Sequence, residues 1–408
     1  MPRPKRGSVE KVRSIRSCGG AWLTAIPDGC GIIKFMKDST HFYFAYGSNL
    51  NHADWTAWCR RKGYPENLLE PMFPAWLPDR QLRFTSYSHS REGGVLDVVP
   101  RLGHIVPGYV FRVSTEGLKA LDRKEGAPDM YRQIDAVCLR ENSEECPVLI
   151  YEVAPGRRTA FEPPSDDYLT VVAAGLKALD LDERPLEAAA KNEDGAANTP
   201  GLFVYGTLMR GECRHHLLAA GYPTCILLAE APGALHDFGD YPGLRLLNRD
   251  EPATCVQGEF LRLAQIHRAL PELDSVEGFH GFGAQASLYR RTLINVGVGD
   301  GRVRQAWTYA PGAATAPVIA SGDWRAHLGR KQTALRAIAE AHCCGRPESE
   351  LAQSLISQDS QDPCELLPIW RALENGSLSE RKLAQASGVR AAWGAGPPGR
   401  APDITSRC

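Results

Sequence analysis

From His41 onward, short apolar runs alternate with glycine and proline breaks. Residues 41–46 are aromatic and β-prone and stop at Gly47, and residues 51–59 have the composition of a helix. A proline-rich crossing through Pro65, Pro71, Pro74 and Pro78 leads to three short strand-like runs at 81–87, 94–99 and 108–113. Residues 115–124 predict a short helix, and 131–139 and 148–153 predict two more strands. Ser165-Asp166-Asp167 supplies a cap and first-turn acids for a helix whose apolar face runs over 168–179. Many short strands with few helices predict an α+β fold built on a mixed barrel or sheet, not a doubly wound parallel one.

The pattern is written twice. Phe44-Ala45-Tyr46-Gly47-Ser48-Asn49-Leu50 returns as Phe203-Val204-Tyr205-Gly206-Thr207-Leu208-Met209. Residues 258–263 parallel 108–113, the helical stretch 264–273 parallels 115–124, and Leu288-Tyr289-Arg290 parallels Met130-Tyr131-Arg132. At the exit, Tyr151-Glu152-Val153-Ala154-Pro155-Gly156 aligns with Trp307-Thr308-Tyr309-Ala310-Pro311-Gly312, and residues 323–340 stand where the helix after Ser165 stood. A repeat of ~150 to 160 residues exceeds solenoid units and marks a duplicated domain. The expected organisation is a basic extension over 1–38, a first domain over 39–183, a linker over 184–200, a second domain with its C-terminal helix over 201–345, and a partly helical tail over 346–408. Within that tail, residues 378–389 resemble the first helix and turn of a helix-turn-helix. Gly394 and Pro397-Pro398 leave no room for a recognition helix, so a small packing helix is expected.

Composition narrows the partners. The chain has 408 residues, 43% hydrophobic and 23% charged, with a formal net charge of −1, so no basic excess draws it to nucleic acid or to a membrane surface. No apolar run approaches the roughly 20 residues of a membrane-spanning helix. Twelve cysteines without a C-x-x-C pair suit reduced thiols and a soluble, cytoplasmic protein. Adjacent Cys343 and Cys344 beside His342 poorly suit tetrahedral ligation, so no metal is expected. The basic residues from Arg3 to Arg16 read as a disordered extension rather than a presequence, because Gly19, Gly20, Pro27 and Gly29 would interrupt an amphipathic helix.

Two features carry chemistry. A strand ending in Tyr46-Gly47, followed by the N–H groups of Ser48, Asn49 and Leu50 at a helix start, forms an anion-binding concavity, and glycine there lets the chain reverse. The second is Leu121-Asp122-Arg123-Lys124-Glu125-Gly126, matched by Leu273-Asp274-Ser275-Val276-Glu277-Gly278. A glutamate at a helix C-terminus opposes the macrodipole, which raises its pKa and suits a general acid or base. The bland alternative is a solvated surface glutamate.

The 44–50 turn with the 121–126 motif resembles the γ-glutamylcyclotransferase family, and the 205–211 turn with 273–279 resembles its γ-glutamylamine cyclotransferase branch. Residues 93–98 with Gly108, and Tyr241-Pro242-Gly243-Leu244 with Gly258-Glu259, add to the likeness. The resemblance implies two tandem γ-glutamylcyclotransferase-like domains, each a small barrel with flanking helices. It implies Glu125 and Glu277 as acid/base residues, with Tyr46, Gly47, Ser48, Asn49 and Tyr131 binding substrate in the first copy. In the second copy Tyr205, Gly206, Thr207, Leu208 and Tyr289 do so. A γ-glutamyl amide would close to 5-oxoproline with release of its amine, without a cofactor or metal. The expected partner is a small γ-glutamyl molecule, not nucleic acid or membrane, with the oligomeric state open. Two alternatives remain: acyl transfer or amide hydrolysis with Ser48 or Thr207 as nucleophile, and a binding module without turnover.

Overall fold

The computed structural model describes residues 40–194, 199–247, 251, 254–312 and 316–329. The basic extension, the end of the expected 323–340 helix, the tail with residues 378–389, and His342-Cys343-Cys344 lie outside them. Five strands form the first barrel: β1 (His41–Ala45), β2 (Glu70–Ser88), β3 (Gly93–Val113), β4 (Tyr131–Arg140) and β5 (Glu145–Val153). They close in the order β1-β3-β2-β4-β5, and β5 returns parallel to β1. The second half runs β6 (Gly201–Val204), β7 (Pro223–Pro232), β8 (Ala234–Asp237), β9 (Pro242–Arg245), β10 (Cys255–Leu263), β11 (Tyr289–Val298) and β12 (Val303–Pro311). Its barrel closes as β10-β6-β12-β11-β7, with β12 parallel to β6, while β8 and β9 pair as a separate hairpin. Within each barrel the first strand lies between the third and the last, and the fourth between the last and the second. The duplication is therefore one of topology as well as of motif.

Each barrel seats its first strand against a glycine. A Cβ on Gly108 would lie 2.4 Å from the Ala45 carbonyl oxygen and 2.4 Å from the Phe44 ring. Gly258 stands in the same relation to the Val204 carbonyl, 2.4 Å away, and to the Phe203 ring. Only hydrogen fits there, so the aromatic before each Tyr-Gly turn lies flat on the third strand and sinks into the core; Phe44 and Phe203 are fully buried.

The proline-rich crossing is not a crossing. Pro71, Pro74 and Pro78 lie inside the 19-residue β2, whose pairing with β3 shifts register between Pro71 and Phe73 and between Pro78 and Arg80. Bulges accommodate residues that lack an N–H, so the prolines bend the strand without ending it. Likewise the expected strands at 94–99 and 108–113 are one 21-residue strand, β3. This long hairpin reaches the second barrel. Trp307 Nε1 donates to Gly103 O at 2.8 Å, the fully buried Arg291 pairs with Asp79, and Trp76, Leu102 and Ile105 pack on the second core. Asp79 and Gly103, at φ 54° and 83°, turn the backbone where the hairpin meets its neighbour.

The helices are α1 (His52–Lys62), α2 (Thr115–Glu125), α3 (Asp166–Ala178), α4 (Arg184–Ala190) and α5 (Ile266–Val276). Asn51 Oδ1 caps α1 at Asp54 N, and Ser165 Oγ caps α3 at Tyr168 N. The expected linker is shorter than 184–200: α4 occupies its first part and buries Leu186 and Ala189 in the first core. The second Tyr-Gly turn is followed by further turns and a 3-10 segment (His215–Gly221), not by an α-helix. Among the described residues no helix is long and apolar enough to cross a membrane.

Candidate active sites

In the first barrel, β1 delivers Tyr46 and Gly47 to one end of the cylinder. Leu50 N–H closes on Gly47 O at 3.0 Å and Asn51 N–H on Ser48 O at 3.0 Å, a single 3-10 turn. The expected helix N-terminus with three donors is thus a tight turn whose remaining amides are those of Ser48 and Asn49. Gly47 has φ −123°, so the reversal does not itself demand glycine. A Cβ there would instead point at Tyr168 Oη and the Leu96 side chain, both of which line the cavity with Tyr46, Ser48, Asn49 and Glu125. The glycine keeps that space open. The cavity measures about 30 Å³.

Glu125 is the last residue of α2, and Gly126 caps it at φ 63°. Glu125 Oε1 accepts from Asn49 Nδ2 at 2.7 Å, and the same amide reaches Tyr43 Oη at 2.8 Å. Asn49 Oδ1 accepts from Lys124 Nζ at 2.6 Å, and Lys124 also donates to Asp54 Oδ2 at 3.1 Å and Ser48 Oγ at 3.4 Å. Arg91 holds the same Asp54 oxygen at 2.7 Å. Enclosure raises the Glu125 pKa against the pull of Lys124 and Asn49. Desolvation, rather than the helix dipole expected from the sequence, supplies that direction. Burial holds the Tyr43, Tyr46 and Tyr131 hydroxyls well above their usual range, so they stay protonated donors.

The second barrel repeats the frame. Tyr46 Oη and Tyr205 Oη donate to the carbonyls of Tyr151 and Tyr309 respectively. Tyr151 Oη donates to Asp122 Oδ1 at 2.6 Å and Tyr309 Oη to Asp274 Oδ1 at 2.6 Å. Tyr131 Oη reaches Leu96 O at 2.6 Å, and Tyr289 Oη reaches Pro242 O of the β8–β9 hairpin at 3.3 Å. Met209 N–H closes on Gly206 O at 3.0 Å, which leaves the amides of Thr207 and Leu208 as donors. Here glycine is required by packing, since a Cβ on Gly206 would lie 2.6 Å from Pro242 Cγ. Glu277 follows α5, and enclosure raises its pKa, partly offset by the charge of Arg214. The cavity is larger, about 130 Å³, and Arg214, Tyr241, Val276 and Leu288 join its lining.

All twelve residues expected at the sites line these two cavities. The Leu-Asp half of each motif is explained too: the aspartate fixes the tyrosine whose carbonyl holds Tyr46 or Tyr205. The exit alignment, however, was displaced by two residues. Tyr131 faces Val153 and Tyr289 faces Pro311, so Tyr151 matches Tyr309 and not Trp307. The Ala-Pro-Gly string shared by the two exits misled because it falls after the strand in one copy and within it in the other. The same register pairs Tyr43 with Leu202. The polar Tyr43–Asn49 pair of the first site is thus an apolar Leu202–Leu208 pair in the second, and Lys124 is Val276. Sequence reasoning noticed Asn49 against Leu208 but missed Tyr43, Lys124, Asp54 and Arg214. The nucleophile alternative gains no repeated base: Lys124 lies 3.4 Å from Ser48 Oγ, whereas the position matching Lys124 is Val276, which lines the second cavity with Thr207. Among the described residues no group of three or more His, Cys, Asp or Glu is placed to hold a metal ion.

Comparison with known proteins matches the sequence to one family. The model of the family described as "Gamma-glutamyl cyclotransferase, AIG2-like" matches residues 43–170 and again 202–326. The chain is 32% identical over 124 residues to the gamma-L-glutamyl-butirosin B gamma-glutamyl cyclotransferase of Niallia circulans, covering 30% of this chain and 74% of that one. It is 28% identical over 171 residues to the gamma-glutamylcyclotransferase of Bos taurus, covering 40% and 82%. A solved structure described as gamma-glutamyl cyclotransferase aligns over 38% of this chain and 86% of its own, with 25% identity and a TM-score of 0.32. With the family model covering more than half of its residues in two successive segments, the chain belongs to the gamma-glutamyl cyclotransferase, AIG2-like family as a tandem of two copies.

Proposed function

We propose that each barrel cyclises a γ-glutamyl amide to 5-oxoproline and releases the free amine, with Glu125 and Glu277 as the proton-transfer groups. The observation that carries this reading is the sharing of one small cavity, in each copy, by a carboxylate of raised pKa and two turn amides without intrahelical partners. The substrate brings its own nucleophile. The ionised glutamate takes a proton from the α-ammonium, and the amine attacks the γ-carbonyl to form a five-membered ring. The turn N–H groups face the charge that develops on oxygen, worth on the order of 3 kcal/mol per well-aimed donor. The protonated glutamate then gives its proton to the leaving nitrogen as the C–N bond breaks, and the regenerated carboxylate takes the second proton from the ring nitrogen and passes it to the departing amine. One carboxylate thus serves both transfers, and the products are 5-oxoproline and the ammonium form of the amine. Holding the chain folded into near-attack geometry supplies much of the remaining acceleration.

The two copies need not share a leaving group. Asn49 ties the first glutamate to Tyr43 and Lys124, while the second site opens between Tyr241, Val276 and Leu288, which are 39%, 40% and 74% exposed and would bear on the amine side. The test is product analysis with γ-glutamyl amino acids, γ-glutamyl amines and glutathione. Cyclisation yields 5-oxoproline and amine in equal amounts with no glutamate. Release of glutamate instead would replace this reading with hydrolysis.

A further inference from the structure

The two sites treat positive charge differently. In the first, both nearby cations are engaged by protein: Lys124 and Arg91 converge on Asp54, and Lys124 also holds Asn49. In the second, the cation of the cavity lining is Arg214. Its backbone is pinned to the turn, because Arg214 N donates to Thr207 O at 2.9 Å and Arg214 O accepts from Leu217 N at 3.1 Å. Its half-buried side chain makes no hydrogen bond or ion pair among the described residues, and it is not in ion-pair contact with Glu277 across the same cavity. A cation and a carboxylate that line one pocket without touching are complementary to a zwitterion set between them.

We propose that Arg214 binds the α-carboxylate of the substrate at the second site, so that the α-amino-acid head lies with its carboxylate on Arg214 and its ammonium on Glu277. The ammonium half of this assignment rests on the cyclotransferase reading; the carboxylate half does not. Arginine suits the task because its planar fork can hold a carboxylate through two parallel N–H bonds. In the first site Lys124 and Arg91 are already paired with Asp54.

The experiment uses the full chain with Glu125→Gln, so that turnover reports the second site. Three substrates are compared: a γ-glutamyl alkylamine, a γ-glutamyl amino acid, and the 4-aminobutanoyl amide that lacks the α-carboxylate. Arg214→Met is expected to raise KM for both γ-glutamyl substrates by about tenfold, the scale of one partly exposed charge pair, with little change in kcat. Arg214→Lys should recover part of the loss. The parent should discriminate against the 4-aminobutanoyl amide, and Arg214→Met should abolish that discrimination. An unchanged KM, or discrimination that survives in Arg214→Met, overturns the proposal. A penalty confined to the γ-glutamyl amino acid overturns it as well, by placing Arg214 on the leaving group. Calorimetric binding of the γ-glutamyl alkylamine to the Glu125→Gln, Glu277→Gln protein, with and without Arg214→Met, reads the same contact without chemistry. If no variant releases 5-oxoproline, the functional reading fails while this arm still decides the role of Arg214.

Discussion

At the scale of single residues, the sites turn on two glutamates whose environments raise their pKa. Glu125 and Glu277 both rise above the ordinary 4.5 because enclosure penalises the charged form. A general base works only when ionised, so activity should be lost as pH falls through the raised value. The variant Glu277→Gln reports the first site and Glu125→Gln the second. The pH profile of kcat/KM in each should show an acidic limb centred above 4.5. A limb at or below that value in both would remove these carboxylates from the role. The environments that set this could not be read along the chain. Lys124 and Arg214 look like any surface cation in sequence, and their roles arise from Asp54, which fixes one by a contact 70 residues away, and from Thr207, against which the other is pinned. The Tyr-Gly turns were readable because their chemistry is local: five consecutive residues carry the strand end, the glycine and the donors.

At the scale of elements, each barrel depends on the close approach of its first strand to its third. Gly108→Ala and Gly258→Ala each drive a Cβ to within 2.4 Å of a main-chain oxygen, which cannot give as a flexible side chain would. Each should cost about 1 to 3 kcal/mol, by the usual scale of overpacking. Gly156→Ala is the control, with nothing within 4 Å of its Cβ. Denaturation midpoints measure all three; equal stability of Gly108→Ala and Gly156→Ala would contradict the packing described. The helices other than α4, which falls in the expected linker, were read to within about three residues of their ends, because caps such as Ser165 and the glycine after Glu125 act through neighbours in sequence. The long β2–β3 hairpin was not. Prolines ordinarily break strands, and whether a bulge absorbs them depends on the partner strand. The same limit applies to the exit alignment, where a shared Ala-Pro-Gly string outweighed the cross-strand register that places Tyr151 with Tyr309.

At the scale of the molecule, the two barrels share a contact that no repeat comparison foretells. Arg291 lies at 1% exposure among Phe279, Phe282 and Trp307 and pairs with Asp79 of the first barrel and, at 3.4 Å, with Asp274 of its own. Asp274 in turn holds Tyr309, and Tyr309 holds Tyr205. The hairpin of one copy thus reaches, through one arginine, the frame of the other copy's site. Even so, each cavity has its own glutamate, turn and tyrosines, so the account requires two sites that work separately. The most direct measurement is 5-oxoproline release by the intact protein, by Glu125→Gln, by Glu277→Gln and by the double variant, on substrates that the intact protein turns over. Each single change should remove one component of the activity by at least about a hundredfold, the lower bound for loss of a proton-transfer group, and the double variant should remove both. Full activity in the double variant would contradict the account.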